Sequence, residues 1–152
     1  MHYTLKRLED IYDLSLVLAR NFPDPQTVQL GIYELLINAL EHGNLGINHA
    51  MKTSLIRENR WEEEVRRRLA LPEFIGRQVD IALEKTSDEE CSITIADQGD
   101  GFDWRLYMSP PAIVKSKSRF YGMGLQLVRH CGFGSIAFNE TGNMVTCIAG
   151  KR

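Results

Sequence analysis

Apolar residues in the N-terminal part of the chain recur at helical spacing. Within residues 5–20, LKRLEDIYDLSLVLAR, the positions Leu5, Leu8, Ile11, Tyr12, Leu14, Ser15 and Leu18 fall close to one stripe, which predicts a helix. The segment NFPDPQ ends it, and Pro25 behind Asp24 suits the first turn of a second helix with Asp24 as its N-cap. This second helix, over about residues 25–42, is rich in apolar residues and closes at Gly43, read as its C-terminal glycine. Residues 50–70, AMKTSLIRENRWEEEVRRRLA, predict one charged helical stretch with an apolar stripe of Leu55, Trp61, Val65 and Leu69, closed by Leu71-Pro72. The period then changes to two. RQVDIALEKT and CSITIAD alternate apolar with polar and read as strands, and SDEE between them makes an antiparallel hairpin. A loop fills about residues 98–121, GLQLVRHC is a short helix, and GSIAFNE with NMVTCIAG forms a second hairpin turning at Thr141-Gly142. The expected fold is an α/β two-layer sandwich, with two or three helices on one face of a mixed, mostly antiparallel sheet.

Bulk properties narrow the class. A chain of 152 residues has the size of one domain, 1–152, in which residues 44–72 stand as a helical insert. A formal net charge of −2 gives no electrostatic reason to expect nucleic acid as a partner. No apolar run approaches the roughly 20 residues of a membrane span. The opening MHYTLKRLED lacks the apolar stretch of a secretory signal, so the expected location is cytoplasmic and no membrane is expected as a partner. Cys91, Cys131 and Cys147 have no CxxC spacing and sit among apolar neighbours, which favours core filling over a disulfide framework.

Three segments offer chemistry, each with a plainer reading beside it. In ELLINALEHGN, Glu34, Asn38 and His42 lie at i, i+4 and i+8 and share one helix face. That stripe suits a ligand, and equally the solvent face of an amphipathic helix. In IADQGDGFDW a strand ends at Asp97 and Gly99 and Gly101 open a loop, where backbone can approach a ligand closely. A carboxylate there accepts from an exocyclic amine such as adenine's, or merely begins a glycine turn. In YGMGLQLVRHCG, Gly122 and Gly124 precede a helix whose free N–H groups suit phosphate, although a lone GxG is weak. There is no GxGxxG behind an N-terminal strand and no GxxxxGK[ST].

Taken in order, these segments resemble the three boxes of the GHKL ATP-binding superfamily, the fold of anti-sigma-factor kinases, sensor histidine kinases and type II topoisomerases. ELLINALEHGN matches the N box, DQGDGFD the first glycine box and YGMGLQLV the second, over roughly residues 5–150. Glu34 followed by Asn38 and His42-Gly43 resembles the anti-sigma-factor serine kinase branch. The resemblance implies Glu34 as general base toward a substrate hydroxyl and Asn38 as ligand of the Mg²⁺ that bridges the phosphates of ATP. It implies Asp97, supported by Gly99 and Gly101, as the residue that binds the adenine amine, and Gly122, Gly124 and Leu125 as phosphate contacts. These are the needs of phosphoryl transfer, which is mainly positioning and charge neutralisation.

The implied activity is that of a serine/threonine protein kinase in a bacterial partner-switching circuit. Its partners would be ATP or ADP, a protein antagonist as substrate, and a sigma factor. The alternatives are a non-catalytic module whose nucleotide sets its shape for a protein partner, or the ATP-binding domain of a larger response-regulator or phosphatase protein. The RWEEEVRRRLALPE segment resembles the long inserts of the latter. A sensor histidine kinase domain fits less well, since no phospho-acceptor helix pair precedes it, and a gyrase-like ATPase would need further domains. The chain departs from the family pattern in its 44–72 insert, in Gly142-Asn143 where Gly-Thr is frequent, and in Tyr121 before the second glycine box. Lys115, Lys117 and Arg119 either reach phosphates or form a solvated loop. The Arg66-Arg67-Arg68 end of the insert either docks an acidic partner or a second subunit, as in a homodimer, or belongs to a helix packed on its own domain.

Overall fold

The structure is a computed structural model, and it describes residues 1–105 and 128–150. Its elements run β1 (His2–Leu5), a 3-10 turn (Leu8–Asp10), α1 (Ile11–Ala19), α2 (Pro25–Ile37), a π-helical segment (Asn38–Asn44), α3 (His49–Arg57), α4 (Trp61–Leu69), β2 (Val79–Ser87), β3 (Glu90–Ala96), β4 (Ser135–Phe138) and β5 (Met144–Gly150). The five strands form one sheet in the order β1-β2-β3-β5-β4, and every pairing is antiparallel. The expected mixed sheet is therefore an antiparallel one among the described residues. No described helix is long and apolar enough to cross a membrane.

Alternation along the strands decides which face is covered. Val79, Ile81 and Leu83 of β2, Cys91, Ile93 and Ile95 of β3, and Val145, Cys147 and Ala149 of β5 are buried. They join one core with Ile11 and Leu18 of α1 and Val28, Ile32, Leu35 and Leu36 of α2. The opposite face carries small and polar residues, with Thr94 and Thr146 hydrogen-bonded at 3.1 Å. All three cysteines are free and buried, as core filling predicts.

Three element boundaries differ from the expected ones. The first helix was expected from residue 5, but residues 2–5 are a strand: Tyr3 and Leu5 pair with Ile81 and Val79, and this long-range pairing outweighs the local helical stripe. The second helix does not end at Gly43 in a left-handed cap. It changes at Asn38 into π geometry that runs through Asn44, and the positive φ falls at Gly46 instead. The stretch over 50–70 is two helices. Asn59 takes φ 58°, the Asn59 N–H donates to the Ile56 carbonyl at 3.1 Å and the Arg60 N–H to the Leu55 carbonyl at 2.8 Å, the hydrogen-bond pair of a Schellman stop.

The insert has its own small core. Leu45, Ile47 and Val65 are buried there, with Met51, Leu55, Trp61, Leu69 and Phe74 packed around them. The predicted stripe thus packs into this small core. At the basic end, Arg66 and Arg67 are exposed, while Arg68 turns inward and donates to the Leu45 carbonyl at 2.8 Å and to Glu64 at 2.9 Å.

Candidate functional site

Asp97 continues the buried face of β3. Cys91, Ile93 and Ile95 point to the helices, and period two carries the next side chain the same way. The Asp97 N–H donates to the Asn143 carbonyl at 2.9 Å, so pairing with the β4–β5 hairpin extends past the end of the strand. The carboxyl accepts from the Gly99 N–H at 2.8 Å. Burial pushes its pKa up to about 6, against the Gly99 hydrogen bond and the charge of Arg77.

Three glycines let backbone close around this carboxyl. A Cβ on Gly43 would overlap the Asp97 carboxyl group, and one on Gly99 would overlap the Gly43 carbonyl. Gly101, at φ 82°, lies against the Thr141 carbonyl with no room for a side chain. The sequence pattern makes Gly43 a helix terminator. Its actual constraint is contact with Asp97.

The π segment forms the facing wall. Asn38, Ala39, His42 and Gly43 line a cleft together with Leu35 of α2, Ile95 of β3, Asp97 just beyond it, and residues of the β4–β5 hairpin. The cleft's cavity volume is about 50 Å³. The Asn38 Nδ2 is buried and has no hydrogen-bond partner among the described residues. His42 places Nδ1 on the Ile47 carbonyl, and burial pushes its pKa down to about 3, so the ring is neutral. Glu34, one turn before Asn38, does not line the cleft with them. Its carboxyl is half-buried and held above the ordinary carboxylate range by burial, with Lys52 pulling it the other way.

The third wall rests on asparagines. Asn139 Oδ1 accepts from the backbone N–H groups of Gly142, Asn143 and Met144 at 2.8, 3.0 and 3.2 Å, which fixes the turn. Asn143 Nδ2 donates to the Gly99 carbonyl at 3.2 Å and ties the turn to the loop after β3. Asn44, 1% exposed, joins the π segment to the same loop: its Oδ1 accepts from the Gln98 N–H at 2.7 Å. Phe102 and Phe138 close the cleft edge to face at 5.5 Å, and Trp104 stacks on Phe138 at 5.5 Å.

The structure therefore brings Asn38, Asp97 and Gly101 to one cleft, packs Gly99 against Gly43 and Asp97, and leaves Glu34 outside the lining. Gly122, Gly124 and Leu125 lie outside the described residues, as do Lys115, Lys117, Arg119 and Tyr121. Sequence reasoning missed Asn44 and Asn139, whose work is done by side chain to backbone bonds that no motif marks. It also passed over Glu41, signalled only by a carboxylate interrupting the apolar run ALEHGN. Comparison of the chain with protein-family models, with curated proteins and with solved structures finds no match in any of the three.

Proposed function

We propose that this cleft binds ATP and that the chain is a serine/threonine protein kinase of the anti-sigma-factor type, acting on an antagonist protein. The observation that carries the reading is the half-buried Asp97 carboxyl at the end of β3, enclosed by Gly43 and Gly99, in an apolar cleft that also holds an unpartnered asparagine amide. Leu35, Ile95, Val145 and Phe138 are suited to the faces and edges of a purine ring, and Asp97 accepts from its exocyclic amine. A base lacking that amine would leave the buried carboxyl unpaired, which is costly.

Asn38 fits the phosphate end of the ligand. Its Nδ2 is buried and free of protein partners among the described residues, and the oxygen of the same side chain would suit Mg²⁺, which is held mainly by phosphates and water. Bound there, Mg²⁺ would supply charge neutralisation of the phosphate oxygens. Gly122, Gly124 and Leu125 complete the phosphate contacts in this reading. Glu34 takes the proton of the substrate hydroxyl as that oxygen bonds to the γ-phosphorus. The bond from phosphorus to the β–γ bridging oxygen breaks, and ADP leaves. Burial raises the Glu34 pKa, which makes it a better proton acceptor near neutral pH.

A second reading, a nucleotide-dependent binding module without transfer, is favoured by Glu34 standing outside the cleft lining. Radiolabelled ATP offered with candidate antagonist proteins separates the two. Label should pass to a serine or threonine with wild type and not with Glu34→Ala, while Glu34→Ala still binds ADP. ADP binding with no transfer to any candidate gives the module.

A further inference from the structure

Glu41 is the one fully buried carboxylate among the described residues, 1% exposed, and both its oxygens are bonded by the insert. Lys52 Nζ, on α3, donates to Oε2 at 2.9 Å, and Trp61 Nε1, on α4, donates to Oε1 at 2.8 Å. The ammonium of Lys52 also sits 5.4 Å from the centre of the Trp61 ring. One carboxylate thus joins both inserted helices to the π segment. A buried pair of this kind adds little net stability, but removing one partner leaves a buried group unsatisfied.

The same segment carries Asn38, His42 and Gly43, a wall of the cleft. π geometry is rare and mostly confined to single turns, so a run of seven residues points to neighbours that hold it. Apart from Asp97, Gln98 and Gly99, the neighbours here come from residues 45–78. Besides Lys52 and Trp61, Arg68 of α4 donates to the Leu45 carbonyl at 2.8 Å, and Arg77 donates to the Asn44 carbonyl at 2.7 Å. The charge of Lys52 also acts on Glu34 and on His42.

We propose that the inserted helices clamp the π segment through Glu41, making Glu41, Lys52 and Trp61 positioning residues for Asn38 and His42. Displacement of α3 and α4 then changes the affinity of the cleft, and the insert becomes the place where a bound protein is coupled to the nucleotide. The coupling half of this inference rests on the nucleotide reading; the clamp half does not.

The test is native-state hydrogen exchange on the full chain, with Mg²⁺-ADP titration in parallel. In Trp61→Phe, amides of residues 38–45 should exchange about tenfold faster than in wild type, as expected for a lost hydrogen bond to a carboxylate. Glu41→Gln keeps an acceptor for Trp61 and should show a smaller rise. Leu55→Ala thins the small core without touching Glu41 and should speed exchange in α3 and α4 only. ADP affinity should fall about fivefold in Trp61→Phe and stay at the wild-type value in Leu55→Ala. Unchanged exchange over 38–45 in Trp61→Phe, or an equal rise there in Leu55→Ala, overturns the clamp. Faster exchange with unchanged ADP affinity overturns the coupling and leaves the nucleotide reading standing. If wild type binds no ADP, the nucleotide reading and the coupling fail together, and exchange alone decides the clamp. Should Trp61→Phe not fold, Lys52→Met, which keeps the Trp61 donor and the aliphatic stem, runs the same comparison.

Discussion

The Asp97 carboxyl occupies the space where a Cβ on residue 43 would stand, and this contact between Gly43 and Asp97 joins the π segment to the end of β3. Gly99 closes the same gap from below, against the Gly43 carbonyl. Two elements that meet this tightly give the cleft a floor that cannot shift without moving the carboxyl.

Gly43→Ala should therefore act on both stability and binding. The added methyl must displace either the carboxyl or the π backbone, at a cost of about 1–3 kcal/mol for overpacking. Denaturant unfolding should show that loss, and ADP titration should show weakened binding. A variant of wild-type stability with wild-type binding would mean that the two elements separate easily.

Asp97 gives a pH signature. Its folded pKa of about 6 lies above the ordinary value of 3.8, so between these values the folded state holds a proton that the unfolded state has released. Stability from this group is fully present below pH 3.8 and is lost as pH rises through 6. Nucleotide binding runs the other way, since the adenine amine needs the ionised carboxylate. ADP affinity should fall by about tenfold per pH unit below 6, with a proton released on binding. Calorimetry in buffers of different ionisation enthalpy measures both, and a flat profile from pH 7 to 5 would contradict the role.

His42 has the opposite slope. Its pKa falls from 6.5 unfolded to about 3 folded, so on acidification the unfolded state takes up a proton first. Stability present above pH 6.5 is lost as pH falls toward 3. Between 3.8 and 6 this partly cancels the effect of Asp97. His42→Gln should remove the acid-side loss and expose the Asp97 slope in that window, measured as melting temperature against pH.

The hairpin hangs on Asn139. Asn139→Ala removes the acceptor of three backbone N–H groups and should cost about 1–3 kcal/mol. Asn139→Asp keeps the acceptor but replaces the 2.6 Å bond from Asn139 Nδ2 to Asn143 Oδ1 by a contact between two oxygens, so its melting temperature should fall between those of wild type and Asn139→Ala. Equal losses in both variants would remove the acceptor from the explanation.

Much of this was legible in the sequence wherever a local pattern and a tertiary contact agreed. The β2–β3 and β4–β5 hairpins were, because alternation and turn residues point the same way. The end of β3 just before Asp97 was, because the alternation of CSITIAD stops there ahead of Gly99 and Gly101. The strand at residues 2–5 was hidden because its partners lie 74 or more positions away, as in Leu5 with Val79, and Leu5 also fits a helical stripe. The π segment was hidden because the spacing of Asn38 and His42 reads as α-helical, whereas the geometry there is shared with Lys52, Trp61 and Arg77. Asn59 carried a stop signal that Glu58 and Arg60 around it obscured. The run Arg66-Arg67-Arg68 read as one basic end, yet the third side chain is turned inward by the Leu45 carbonyl.

The most direct measurement is a calorimetric titration of Mg²⁺-ADP into wild type and Asp97→Asn at pH 7.5, with Mg²⁺-GDP as comparison. The account predicts ADP binding by wild type, discrimination against GDP, and a loss of about 1.5–3 kcal/mol in Asp97→Asn, as expected for a hydrogen bond to a charged group. Equal ADP affinity in wild type and Asp97→Asn, or equal affinity for ADP and GDP, would contradict it.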